Sequence, residues 1–169
     1  MTSSYTRRIG ATLTLVLAPG LSCGPNPDPQ RKHTLTADGA LMVLREGDDA
    51  FAELSKLAID QRIEGATFSG FGFGHATFGY FNQQTKTYDR REIRDVELAS
   101  LTGSIAWKDG TPALHAHAVA ADHTFTAYGG HLLGFQVGHG SLEVQILKRP
   151  SLTRQRDEAL GADVLVLPR

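Results

Sequence analysis

From Ala113 to Ala118 the chain alternates: Leu114, Ala116 and Ala118 fall on one side, His115 and His117 on the other. That period of two marks a strand with one buried face. Asp122 and His123 interrupt the alternation as a turn would, and Thr124 to Tyr128 read as a returning strand rich in β-formers. A loop centred on His123 sets His131 opposite His115 and within diagonal reach of His117. A loop one residue longer or shorter would turn His131 to the other face.

The remaining pattern is mostly strand. Ala40 to Arg45 forms a short strand, Glu46-Gly47-Asp48 a turn, and Asp48 or Asp49 caps a helix running to about Arg62. Phe51, Leu54, Leu57 and Ala58 share one face of that helix and belong against the sheet. Ala66 to Asn82 reads as two strands joined at a glycine-rich bend. Gly70, Gly72 and Gly74 lack the dinucleotide-binding spacing, and no helix start follows them. His75 opens the second of these strands and reads as a hydrogen-bonded sheet residue. Asn82 to Thr85 is a hairpin connection, Lys86 to Arg94 an exposed strand, and Val96 to Trp107 a further strand closed by Lys108-Asp109-Gly110. Gly134 to Gly140 is a connection carrying an exposed His139 into an alternating strand, Ser141 to Lys148. A tail of mixed charge from Pro150 ends in a short closing strand, Val164 to Leu167.

Composition narrows the class. With 169 residues, 41% of them hydrophobic, and 18 glycines, the chain suits one turn-rich α+β domain with a substantial core. No repeat or second domain is visible. Arg7 and Arg8 precede an apolar run, Ile9 to Ala18, then Pro19, Gly20, Ser22 and Cys23. The run is too short to span a bilayer and resembles the core of an export signal, with Cys23 as a lipoprotein acceptor. The predicted organisation is a signal peptide over 1–23, a flexible linker over 24–34 and the domain over 35–169. The expected localisation is exported, either periplasmic or as a membrane-anchored lipoprotein attached only through a lipid at a processed Cys23; a cytoplasmic extension is the alternative. Losing that segment takes the formal net charge from −1 to −3, because Arg7 and Arg8 are its only charges. Such a domain lacks the basic footprint of nucleic-acid binding. The single cysteine excludes an intrachain disulfide and any cysteine-based zinc finger.

The candidate chemistry lies in the histidines. Neutral imidazole nitrogen suits a divalent ion such as Zn, Fe, Ni or Cu, so His115, His117 and His131 form a candidate metal site. Three such ligands leave a coordination position open, as catalytic zinc sites do. A carboxylate base from Asp122 or Glu143 would be needed for an enzyme. The same trio would equally serve as a hydrogen-bonded polar subunit interface without metal.

The order of motifs carries a resemblance. Glu46-Gly47-Asp48-Asp49 precedes the helix. Then come Ser69-Gly70-Phe71-Gly72, Ala76-Thr77-Phe78-Gly79-Tyr80-Phe81, Leu101-Thr102-Gly103-Ser104-Ile105, Leu114-His115-Ala116-His117 and Gly129-Gly130-His131-Leu132. From Leu41 to Leu147 the chain resembles the plants and prokaryotes conserved (PPC) domain. That domain is joined to AT-hooks in plant nuclear proteins and stands alone in bacteria and archaea. The resemblance implies a compact α/β domain with an antiparallel sheet that assembles as a homotrimer. It also implies that His115, His117 and His131 occupy the family's histidine positions, which some prokaryotic members use for metal. No Arg-Gly-Arg-Pro AT-hook occurs in the sequence, and Lys148-Arg149-Pro150 reads as an ordinary solvated strand end. The leading expectation is an exported, trimeric metal- or small-ligand-binding protein. A metal-dependent enzyme using the same histidines and a DNA-binding protein are the alternatives, and DNA is not the expected partner.

Overall fold

The computed structural model describes residues 28–167. The expected signal peptide, the Cys23 acceptor and the first part of the linker lie outside the described residues. Eight strands and one helix follow in the order β1 (His33–Leu35), β2 (Gly39–Arg45), α1 (Ala50–Asp60), β3 (Ala66–Asn82), β4 (Thr87–Lys108), β5 (Thr111–Ala121), β6 (Ala127–Lys148), β7 (Thr153–Asp157) and β8 (Ala162–Val166). Lys32, just before β1, is already tied into the domain by ion pairs to Asp48 at 2.8 Å and Glu53 at 2.6 Å.

The helix begins where its free N–H groups find an acceptor. Asp49 takes hydrogen bonds from Phe51 N and Ala52 N, each at 2.9 Å. Leu54, Leu57 and Ala58 are buried, while Phe51 packs at the edge of the core. The helix ends at Asp60, and Arg62 turns the chain with a φ of +50°. Its apolar face covers β5 and β6, whose Ala116, Ala118, Ala120, Leu132, Phe135 and Val137 belong to the same hydrophobic core. Each large side chain buried here contributes roughly 1.5–3 kcal/mol.

The sheet is antiparallel except for one parallel bridge, Trp107 to Thr153. β3 pairs with β4 and β6, and β5 pairs with the same two strands, so β3, β4, β5 and β6 close a ring. β1 and β2 extend the sheet along the C-terminal half of β6, and the β7–β8 hairpin attaches at β4. Two strands of 22 residues, β4 and β6, run through both the ring and its extension.

Those long strands revise four readings. Ala66 to Asn82 is one strand, and its glycines absorb register shifts between Gly70 and Gly72 and between Gly72 and Gly74. Lys86 to Arg94 and Val96 to Trp107 belong to one strand, β4. It bends at Asp95, whose φ of +53° the short acidic side chain tolerates. The segment from Gly134 to Gly140 is part of β6 rather than a connection, so His139 is a strand residue, though an exposed one. Finally, β7 forms inside the charged tail, where the alternation is too short to read.

Glycine is required where β5 crosses β4. A Cβ on Gly103 would stand 2.3 Å from the Phe68 ring and 2.5 Å from the His115 carbonyl oxygen. Gly103→Ala is expected to cost about 1–3 kcal/mol, the usual range for forcing a carbon into a packed core. Gly134→Ala, with nothing within 4 Å of the new carbon, should stay within about 0.5 kcal/mol of the parent. Urea unfolding midpoints of the two variants check the contrast.

Candidate metal centre

β5 and β6 form a hairpin whose loop spans 122–126, between the paired residues Ala121 and Ala127. Asp122 organises that loop. Its Oδ1 accepts from Thr124 N at 2.8 Å, Thr124 Oγ1 at 2.6 Å and Thr126 N at 3.1 Å, and its Oδ2 accepts from the Tyr128 hydroxyl at 2.9 Å. These bonds favour the carboxylate form and bring its pKa down to about 2. The loop is longer than a turn centred on His123 would be, so the cross-strand partner of His131 is His117 rather than His115. The extension is by two residues, which preserves the parity of the strand, and all three imidazoles remain on one face.

That face is the one turned away from the core. Ala116, Ala118 and Leu132 point inward, while His117 is exposed and His115 and His131 are half-buried. One ring nitrogen from each histidine lies within 4.8 Å of the other two. His115 Nε2 and His117 Nε2 are 3.3 Å apart. Two imidazoles bound tetrahedrally at about 2.0–2.1 Å hold their nitrogens about 3.3 Å apart, so this pair already has the spacing of adjacent ligands. The chemistry and spacing of the donor set thus suit a divalent ion.

Neighbours fix the rings. Tyr88, reaching over from β4, stacks on His131 with centroids 4.7 Å apart and planes 25° from parallel. Phe81 meets Tyr88 edge-on at 5.2 Å. Gly79 faces His131 across β3, and a Cβ there would stand 2.8 Å from the Tyr88 ring. The histidines open into a cavity of about 540 Å³ whose wall includes Phe78, Tyr80, Tyr88, Arg91 and Gly130.

Burial favours the neutral form of His115 and His131. Desolvation, helped by the neighbouring histidines and Arg154, brings the His131 pKa down to about 4. Desolvation, then Arg154 and His117, lower that of His115. A neutral imidazole is the form that binds metal.

Other candidates fall elsewhere. The oxygens of Asp122 are committed to the hairpin loop, and exposed Glu143 lines a separate cavity on the outer sheet face. His75 accepts a hydrogen bond from Asp95 N at 3.2 Å, holding the bend of β4. His139 lies 3.2 Å from Glu46 in the open. Ser104, Tyr88 and Arg154 stand beside these histidines without a role read from the sequence. Ser104 is legible in hindsight, since the two-residue turn at Asp109-Gly110 pairs it directly with His115. Arg154, bonded to Ser104 from β7, has no comparable signal.

The model of the Plants and Prokaryotes Conserved (PCC) domain matches residues 36–148. Among curated proteins, none matches the chain. A candidate DNA-binding protein from Ralstonia eutropha JMP134 is 47% identical, with 81% of this chain and 96% of that one covered and a TM-score of 0.79. A plant- and prokaryote-conserved protein of Pyrococcus horikoshii is 26% identical, with 81% and 96% covered and a TM-score of 0.68. A metal-containing protein of Archaeoglobus fulgidus is 28% identical, with 75% and 91% covered and a TM-score of 0.66.

A pH dependence follows from His131. Its folded pKa lies below the ordinary 6.5, so between pH 6.5 and about 4 the unfolded chain binds a proton that the folded chain does not. Stability of the metal-free protein should therefore fall as pH drops through that window. His131→Gln should flatten the fall. Denaturant midpoints taken in chelator at about pH 7 and about pH 4.5, for parent and variant, measure the difference.

Proposed function

Since the chain belongs to the Plants and Prokaryotes Conserved domain family, we propose that it is a metal- or small-ligand-binding member that holds a divalent ion on His115, His117 and His131. The observation that carries this reading is the convergence of three ring nitrogens within 4.8 Å on an open cavity. The name of the Archaeoglobus relative, a metal-containing protein, agrees with it. A bound ion would act as a Lewis acid with one position free for a ligand from solution. The protein's own part is to bring the three imidazoles together on one face, to fix the His131 ring under Tyr88, and to keep one face of the site open.

The protein assembles as a homotrimer in this reading, as the family resemblance implies. An apolar patch supports association: Leu41 and Phe71 are exposed on the outer sheet face beside a cavity of about 560 Å³. Protein purified without an affinity tag should contain about one ion per chain and a mass near three chains, measured in the same sample. His117→Ala should lose the ion, with an affinity loss beyond the roughly 10–100-fold that removing a supporting partner brings. His139→Ala should keep it. Equal metal content in the two variants refutes the site.

Export is the second element of the proposal, supported by Arg7-Arg8, the apolar run and Cys23. A fusion of residues 1–40 to a reporter active only outside the cytoplasm should give signal, and Cys23→Ala should release it from membranes. A cytoplasmic result would return the chain to the compartment that holds DNA. It would also raise the DNA-binding reading, which otherwise rests on the name of the Ralstonia relative against an acidic net charge.

A further inference from the structure

We propose that Arg154 forms an oxyanion subsite beside the three histidines, so that the ligand taken there is a small carboxylate or phosphate. This rests on the metal reading for its full strength and adds to it the class of ligand. Arg154 lies on β7, beyond the segment matched by the family model.

Among the described residues, Arg154 is the one charged side chain in the buried class, at 8% exposure. A guanidinium stays protonated, so a full positive charge is held out of water. Its hydrogen bonds go to neutral groups: Nη2 donates to Ser104 Oγ at 2.8 Å and Nη1 to the Asp163 carbonyl at 3.3 Å. The buried Nε–H has no acceptor. The Asp163 carboxylate is the nearest compensation, but Lys108 holds its Oδ2 at 2.7 Å, and its buried Oδ1 is without a donor. A buried charge with only partial compensation is costly, and an incoming anion would complete it.

The position of this charge points to the histidines. Ser104 is the cross-strand partner of His115, so a guanidinium bonded to Ser104 stands on the imidazole face. Arg154, His115 and His131 line one cavity of about 330 Å³, with Lys86, Arg156 and the Lys108-paired Asp163 also in its wall. The metal-ligand cluster contains no carboxylate, so an ion bound there would keep its whole charge. Ion and guanidinium together make a half-enclosed cationic well. Carboxylates and phosphates suit such a well, since both accept paired hydrogen bonds from a guanidinium.

The test uses untagged protein loaded with Co²⁺ and titrated separately with oxalate and with inorganic phosphate. Binding is read from the visible spectrum of the ion and from the heat. The parent should bind one of the two saturably. Preference for oxalate assigns a carboxylate ligand, and preference for phosphate assigns a phosphate group. Arg154→Met should weaken that binding by at least roughly tenfold without lowering Co²⁺ affinity. Its unfolding midpoint in anion-free buffer should match or exceed the parent's, because a poorly compensated charge has been removed. Arg154→Lys keeps the charge without the paired donors and should also bind the anion more weakly. Anion binding equal to the parent's in both variants overturns the subsite, as does a parent that binds neither anion. A loss of stability in Arg154→Met with anion affinity kept in Arg154→Lys would assign the residue a structural role instead. Should the parent take up no Co²⁺, the metal reading fails by itself. Heat from the anion titration then decides the subsite alone, by whether it depends on Arg154.

Discussion

The parity of one hairpin governs what this sheet can do. Side chains on a strand alternate between faces, so His131 joins His117 and His115 only if the loop between their strands holds an odd number of residues. Asp122 sets that number by gathering two backbone N–H groups and two hydroxyls around its carboxylate. The same alternation sends Ala116, Ala118 and Leu132 under the helix. The polar cluster and the core are thus two faces of one registration, and neither can be altered without the other.

Much of this was legible in the residues. Alternation around His115 and His117, the Asp-Gly turn after Lys108 and the cap at Asp49 each rest on local rules, and each element formed where those rules put it. A loop centred on His123 is two residues too short, because Asp122 organises a five-residue loop through bonds to Thr124, Thr126 and Tyr128 that alternation does not encode. The continuity of β4 and β6 was hidden for a related reason. Glycines and a left-handed Asp95 look like breaks in a sequence, whereas in a closed ring they are the points at which a strand bends and carries on.

What remained out of reach came from distant parts of the chain. Arg154 approaches His115 only because β7 docks beside Trp107 through a single parallel bridge, and no periodicity encodes such a contact. Tyr88 likewise stacks on His131 because β3 and β4 form a long hairpin that folds back over the site. Both are consequences of packing between segments, which local pattern does not record.

The helix that covers the back of β5 and β6 separates folding from occupancy. The hydrophobic cluster beneath α1 draws nothing from the imidazoles, which sit on the opposite side of the same two strands. Small zinc domains collapse only around their ion, whereas here an apolar core is packed on the face opposite the histidines. An ion at the proposed site would therefore bind to a scaffold whose core does not depend on it. Loss of an ion from the proposed site would thus leave the fold standing.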